Sequence, residues 1–363
     1  VNLALKEYYN FLMKITDVYT VLRRVKHGEG DLVSHGFVKG VSITGSRVSV
    51  VFLFPEEMRG KERPLLEEAR RLLEAEGAER VEFEVNFAIL QGKKSVADLK
   101  KRPVPGVKNV ILVTSGKGGV GKSTVAANLA AALAAKGFRT GLFDADVYGP
   151  SIPTLMGIAG SEIRAEDNKI IPVEAYKVKV MSLGLMLEDG SPVIWRGPLV
   201  HKAYEQLLFE TNWGELDFLI LDLPPGTGDA QLSMAQLVEI TGGLVVTTPQ
   251  ALSVNDVRRA LAMLVKVNVP AIGIVESMSY YKCPKCGHEE NIFGEGGGES
   301  LAAETGVPLL VKVPLEIDLV AASDAGIPIV IAKPSSEAAK AFVHLAEEVV
   351  KYVERTKGKH MEA

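Results

Sequence analysis

The 363 residues are long enough for one large or two ordinary domains, and 47% hydrophobic content lets them bury a sizeable core. A net charge of −4 carries no basic excess, which disfavours nucleic acid as a partner. No apolar run reaches a bilayer span without Gly, Pro or charge, and no signal peptide opens the chain, so the expectation is a soluble cytoplasmic protein with no membrane partner.

Residues 1–90 read as a small α/β domain. Residues 3–21 have a helical pattern. Residues 37–41 and 47–54 alternate apolar and polar side chains, as half-buried strands do, with a turn at 44–46 between them. An amphipathic helix over 63–76 and a third strand over 80–87 complete the unit. Residues 91–106 are polar, basic and proline-bearing, the composition of a linker. From 107 to 355 strands alternate with helices, which predicts an α/β fold with a mostly parallel sheet wrapped by helices. The charged tail 356–363 is expected to fray.

The second domain opens on its most informative stretch. An apolar run over 110–113 predicts a buried parallel strand. It stops at GKGGVGKS, residues 116–123, which fits G-x-x-x-x-G-K-[ST], and an alanine-rich helix follows over 125–136. Strand, glycine loop and helix in that order are the setting of a phosphate loop. Gly118, Gly119, Val120, Gly121, Lys122, Ser123 and Thr124 are the expected nucleotide cradle. Glycines let successive N–H groups turn onto a polyphosphate, and the helix N-terminus adds its partial positive charge. Lys122 would reach the β/γ-phosphates, and Ser123 would ligate Mg²⁺. Lys117 is a second lysine inside the loop. The loop therefore resembles that of the MinD/ParA/nitrogenase-iron-protein class, which implies that Lys117 acts across a dimer on the neighbour's nucleotide. Phosphoryl transfer is mostly positioning and charge neutralisation, so a partner's cation can complete a site; the plainer alternative is a solvated loop lysine.

A strand over 140–143 delivers Asp144 and Asp146 to its C-terminal end, where open α/β sheets hold ligands. One can support Mg²⁺ and the other can orient an attacking water; capping of the next segment is the alternative. The strand 217–222 ends in Asp222, a Walker B arrangement near Mg²⁺. The following PPGTGD, residues 224–229, places Gly226, whose N–H can sense a γ-phosphate in a loop that rearranges when the phosphate leaves. Another strand covers 244–248. Cys283 and Cys286 then appear in CPKCGH and are the only cysteines of the chain. A disulfide does not suit a reducing compartment. C-P-x-C-G resembles the metal-binding knuckle of zinc ribbons and rubredoxins. Two thiolates are half of an ordinary zinc or iron–sulfur ligand set. A two-fold dimer with facing pairs reaches four, and His288 is another candidate ligand. A cluster across a dimer, a zinc site and structural or redox thiols all stay open.

Together GKGGVGKST, DADVYGPSIP at 144–153, DLPPGTGD at 222–229, TTPQ at 247–250 and MSYYKCPKCG at 278–287 resemble the Mrp/ApbC iron–sulfur cluster carrier ATPases over about 107–349. The resemblance implies ATP hydrolysis with Mg²⁺ and a homodimer. It also implies a labile [4Fe–4S] cluster on Cys283 and Cys286 of both subunits, passed to recipient apoproteins with iron–sulfur assembly factors as partners. In that reading Lys117, Lys122 and Asp146 are catalytic, and Ser123, Asp144 and Asp222 organise Mg²⁺ directly or through water. The front domain resembles an iron–sulfur-assembly domain, chiefly at GDLVSHGFV, residues 30–38, but has Phe54-Pro55-Glu56-Glu57-Met58 where that domain often carries a cysteine. A docking role suits it better than a thiol role. The family usually has Glu-Asn-Met-Ser, its asparagine reading adenine, where this chain has Glu276-Ser277-Met278-Ser279. Ser277 offers one hydroxyl in place of a bidentate amide, so weaker adenine discrimination is expected, with backbone near Pro314 as a second base reader. The rival reading is a ParA/MinD-like nucleotide-dependent dimerisation switch whose CPKC knuckle holds zinc. Acidic residues Glu337, Glu347, Glu348 and Glu354 in the helical pattern over 336–357 break any basic face that would target it to a membrane. A nucleotide-gated scaffold with negligible turnover is a third possibility.

Overall fold

The structure, a computed structural model, describes residues 13–28, 30–88, 101–146, 149–167, 169–186, 197–226 and 228–361. The chain divides into two compact units, residues 1–100 with 303–306, and 101–302 with 307–363. The division after residue 100 falls within the stretch expected to be a linker, of which 91–100 lie outside the described residues, as do 3–12 of the expected first helix.

In the first unit, helix α1 (Ile15–Leu22) is followed by a two-residue hairpin of β1 (Lys26–His27) and β2 (Gly30–Asp31). Strands β3 (Val38–Thr44) and β4 (Arg47–Pro55) are antiparallel, joined through Gly45 at φ +62°. Helix α2 (Arg63–Ala75) then crosses over to β5 (Arg80–Ala88), which pairs parallel with β4. Along β4 the pleat sends Val48, Val50, Phe52 and Phe54 inward. The Phe52 and Phe54 rings stack at 5.6 Å and form the centre of a small aromatic core.

In the second unit, β6 (Val110–Ser115), α3 (Lys122–Ala135), β7 (Thr140–Asp144) and the short α4 (Ile152–Leu155) come first. An antiparallel pair, β8 (Arg164–Glu166) and β9 (Lys169–Ile171), precedes β10 (Val173–Ala175) and β11 (Val178–Ser182). Next come α5 (Gly197–Phe209), β12 (Phe218–Asp222), α6 (Asp229–Leu237), β13 (Gly242–Thr247), α7 (Ala251–Lys266) and β14 (Ala271–Glu276). The hairpin β15 (Tyr281–Lys282) and β16 (Glu289–Glu290) leads to α8 (Gly297–Thr305), β17 (Leu309–Lys312), α9 (Ile317–Asp324), α10 (Ile329–Ala332) and α11 (Glu337–Met361). The eight-stranded sheet has the order β10-β11-β7-β12-β6-β13-β14-β17 and is parallel except for β10 against β11. Strands β6, β7, β12 and β13 are buried at every residue, which accounts for their unbroken apolar runs. Alternate residues of β6 serve opposite faces: Ile111 and Val113 pack toward α3 and α11, Val110 and Leu112 toward Tyr204 and Trp213. Helix α3 is buried at every position from Val125 to Ala134, and its alanines let it lie close to both the sheet and α11.

Helix α11 runs to Met361 at the C-terminal end. Ser336 Oγ accepts the Ala339 N–H at its start (3.0 Å), and Thr356 Oγ1 bonds back to the Tyr352 carbonyl (3.0 Å). Once a packed face has nucleated a helix, each added residue needs only one further bond. No described helix is long and apolar enough to cross a membrane.

Candidate nucleotide cleft and thiol hairpin

The sheet order reverses at β6, which has β12 on one side and β13 on the other, and the crevice beyond the strand ends is the usual ligand position of such sheets. Beyond Ser115 the chain makes the glycine loop. Ser115 Oγ donates to the Lys117 carbonyl (2.8 Å). Gly119 and Gly121 take φ +77° and +80°, a conformation that disfavours any side chain. Gly116 has no room for one, since a Cβ there would lie 2.2 Å from the Asp256 carbonyl carbon in α7. Helix α3 starts at Lys122, immediately after Gly121, so its first N–H groups have no intrahelical partner. Loop residues 117–119 and 121–124 line a cleft of about 620 Å³, closed opposite by Asp146, Pro225, Thr154, Leu155, Ser323 and Asp324. That volume suits a nucleotide-sized ligand. Val120 turns its side chain into the core (2% exposed) and has only backbone to offer.

The parallel register sets Asp222 beside Asp144, and Asp144 beside Ser182, at the ends of β12, β7 and β11. Lys122 Nζ donates to Asp222 Oδ1 at 2.5 Å and lies 3.1 Å from Ser123 Oγ. Asp144 Oδ1 accepts from the Asp146 N–H (3.0 Å), and Oδ2 from Ser182 Oγ (2.9 Å) and the Ile152 N–H (3.3 Å). Burial, reinforced by the charge of Asp222, pushes the Asp144 carboxyl up to about 7. Asp146 Oδ1 accepts the Gly149 N–H (3.2 Å) at the cleft wall. Asp222 Oδ2 is buried with no hydrogen-bond partner among the described residues. An orphaned carboxylate oxygen beside a hydroxyl and a second carboxylate is an all-oxygen donor set, and it fits a hard cation such as Mg²⁺.

Three expected contributors lie outside the lining of this cleft. Gly226 is at φ +96°, and its N–H is engaged by the Ser115 carbonyl (2.9 Å), while Gln231 Nε2 holds the carbonyls of Pro224 and Pro225. Ser277 and Pro314 are buried and are not among the residues lining the phosphate cleft. Ser277 lies behind the loop: a Cβ on Gly121 would come within 2.8 Å of its Oγ. Val313 gives both its N–H and its carbonyl to the segment beginning at Glu276. Conversely, Ser323 and Asp324 reach the cleft without belonging to any motif. Their position comes from packing at Gly326, where a Cβ would lie 2.5 Å from Gly157 Cα, and from the Tyr176 hydroxyl donating to the Gly326 carbonyl (2.8 Å).

Cys283 and Cys286 occupy the turn of the β15–β16 hairpin, closed by Cys283 N–H to the His288 carbonyl and Gly287 N–H to the Cys283 carbonyl, both 2.8 Å. Cys286 is exposed and Cys283 half-buried. Backbone N–H groups of Cys286 and Lys285, with the Cys286 side chain, pull the Cys283 thiol below its ordinary pKa; His288 adds a smaller pull. His288 Nε2 lies 3.0 Å from Glu290 Oε2. Among the described residues, no three His, Cys, Asp or Glu side chains are grouped to hold a metal ion.

A family model described as ParA, NUBPL iron-transfer P-loop NTPase, matches residues 106–350. A protein of Aquifex aeolicus (strain VF5) named iron–sulfur cluster carrier protein is 50% identical over 256 residues, 70% of this chain and 70% of that one. Another of the same name, from Synechocystis sp., is 42% identical over 346 residues, 93% and 97% of the two chains, and so spans both units. Among solved structures, a nucleotide-binding protein of Archaeoglobus fulgidus in complex with ADP is 36% identical with a TM-score of 0.59, covering 69% of this chain and 98% of that one.

Proposed function

The chain belongs to the iron-transfer family of P-loop NTPases, and from that membership we propose an ATP-hydrolysing carrier that assembles a [4Fe–4S] cluster across a homodimer and delivers it to apoproteins. The carrying observation is that one unit holds both a phosphate-loop cleft and a hairpin with two thiols and no third ligand among the described residues. Two identical hairpins related by a two-fold axis supply the four thiolates that a [4Fe–4S] cluster takes. The lowered Cys283 pKa favours the thiolate that binds iron. Free thiols suit a reducing compartment such as the cytoplasm.

In the cleft, the loop amides from Gly118 to Thr124 cradle the phosphates. Lys122 leaves Asp222 for the β/γ-phosphates, and Lys117 reaches the partner's nucleotide. Ser123, Asp222 and Asp144 would hold Mg²⁺, which when bound neutralises phosphate charge. Asp146 positions the attacking water; an aspartate is a weak base, so orientation is its larger contribution. Gly226 must release the Ser115 carbonyl to meet a γ-phosphate. Ser277, behind Gly121, and Pro314 border the base side.

Anaerobic reconstitution with iron and sulfide tests this reading. Expected are about four irons and four sulfides per dimer, lost in Cys283→Ala. Stoichiometric zinc without sulfide would transfer support to a nucleotide-dependent dimerisation switch.

A further inference from the structure

Glu276 is the last residue of β14 and is fully buried, yet the hydrolysis and cluster chemistry above leave it without a role. Its two oxygens serve two different chain segments. Oε1 accepts from Ser279 Oγ (2.6 Å), and Oε2 accepts from the Gly298 N–H (2.6 Å) in the first turn of α8. Ser279 lies between the end of β14 and the cysteine hairpin, and Gly298 lies beyond the hairpin at the start of α8. One carboxylate therefore closes the base of the whole excursion, through two charge-assisted bonds.

The other neighbour of Glu276 faces the nucleotide loop. Ser277 bonds through its N–H to the Thr247 carbonyl (2.8 Å) and stands against Gly121 of the loop. Met278 follows at φ +52°, a backbone conformation that is strained for a non-glycine residue and persists only where its surroundings impose it. Here they do. Val313 N–H bonds the Glu276 carbonyl (2.8 Å), Ser279 N–H the Val313 carbonyl (3.0 Å), and Leu315 N–H the Tyr280 carbonyl (2.7 Å). Cys283 is six residues beyond Ser277. The segment from the loop to the thiols is short, bonded at nearly every step and strained at Met278, so it has little slack.

We propose that Glu276 is a positioning residue that transmits the state of the nucleotide loop to the cysteine hairpin, by clamping the hairpin's two ends to the residue that adjoins Ser277. This rests on the carrier reading for its purpose. A loop displaced by phosphate pushes on Ser277; with both ends of the excursion tied to one carboxylate, the hairpin moves with it. Without the clamp the ends separate, and the displacement is absorbed locally.

Cys283 and Cys286 are the only cysteines, so the alkylation rate of the metal-free full chain reports on the hairpin alone. Iodoacetamide rates are measured with Mg²⁺ and saturating ADP, with Mg²⁺ and a saturating non-hydrolysable ATP analogue, and without nucleotide. Wild type is expected to change by at least about 5-fold with nucleotide, the lower end of ordinary coupling. Glu276→Ala and Ser279→Ala lose that response while still binding nucleotide, and Glu276→Gln retains it. The amide oxygen can accept from Gly298 while its N–H₂ donates to Ser279 Oγ, so a merely structural need for charge would not give this pattern. Should Glu276→Ala not fold, Ser279→Ala decides. An unresponsive wild type, or alanine variants that keep the full response, overturns the proposal. No iron enters the assay, so the clamp is judged separately from the iron and sulfide analysis that judges the carrier reading.

Discussion

At the phosphate loop the charged side chains are buried at the ends of β7 and β12 and at the start of α3. Lys122 is 6% exposed and Asp144 and Asp222 are 0%, each held by named donors or acceptors. In the cysteine hairpin the two thiols sit in the turn between two-residue strands, with Cys286 open to solvent and no third His, Cys, Asp or Glu grouped with them among the described residues. In the cleft those charged groups are buried and bonded, and in the proposed function Lys122 exchanges Asp222 for the phosphates. The hairpin is accessible, as the proposed cargo site requires. Burial and exposure divide between the two sites as the proposed function asks of each.

The largest effect that would sharpen this contrast is at Lys122. Lys122→Ala is expected to abolish phosphate release. It also leaves Asp222 buried and unpaired, at a cost of about 3–5 kcal/mol in stability. The double variant Lys122→Ala with Asp222→Asn should regain most of that stability by denaturant titration and none of the turnover. Cys283→Ala should do the converse, losing bound iron while retaining steady-state turnover and melting temperature, because the thiol supports no core. Concurrent loss of both activities in folded variants of either kind would break the comparison. Next in size, Lys117→Ala is expected to reduce turnover about 10²-fold or more, with nucleotide affinity little changed, as removal of a transition-state cation does.

A smaller effect concerns pH. The folded-state pKa of Asp144 is raised to about 7, above its unfolded value, so between about 4 and 7 the folded chain holds more protons than the unfolded one. Stability of the nucleotide-free protein therefore falls as pH rises through that window, and Asp144→Asn should flatten the dependence in melting curves from pH 5 to 8. Smallest is base selection. The ratio of GTP to ATP dissociation constants should stay within about 10-fold for a single serine hydroxyl, and Ser277→Asn should widen it.

Much of the cleft was legible because its devices are local. Lys122 must follow Gly121 at a helix start, and Asp144 and Asp222 must end buried strands, whatever the rest of the chain does. The hairpin was legible from proline and glycine around two cysteines. What the sequence did not disclose depends on contacts between distant segments. Ser323 and Asp324 enter the cleft only because Gly326 packs against Gly157. The Gly226 N–H is engaged by Ser115, and Ser277 stands against Gly121 of the loop, through pairings that no local pattern encodes. From the sequence Glu276 is only the residue before Ser277, and its contacts with Ser279 and Gly298 needed the fold to bring them together.

The most direct test of the carrier account is transfer itself. Reconstituted protein is mixed anaerobically with an apoprotein that requires a [4Fe–4S] cluster, and the recipient's recovered activity is followed with and without ATP and Mg²⁺. The account predicts recovery that requires both Cys283 and Cys286 and responds to nucleotide. A recipient that stays inactive while the cluster remains on the donor, or one restored equally well by Cys283→Ala, would contradict it.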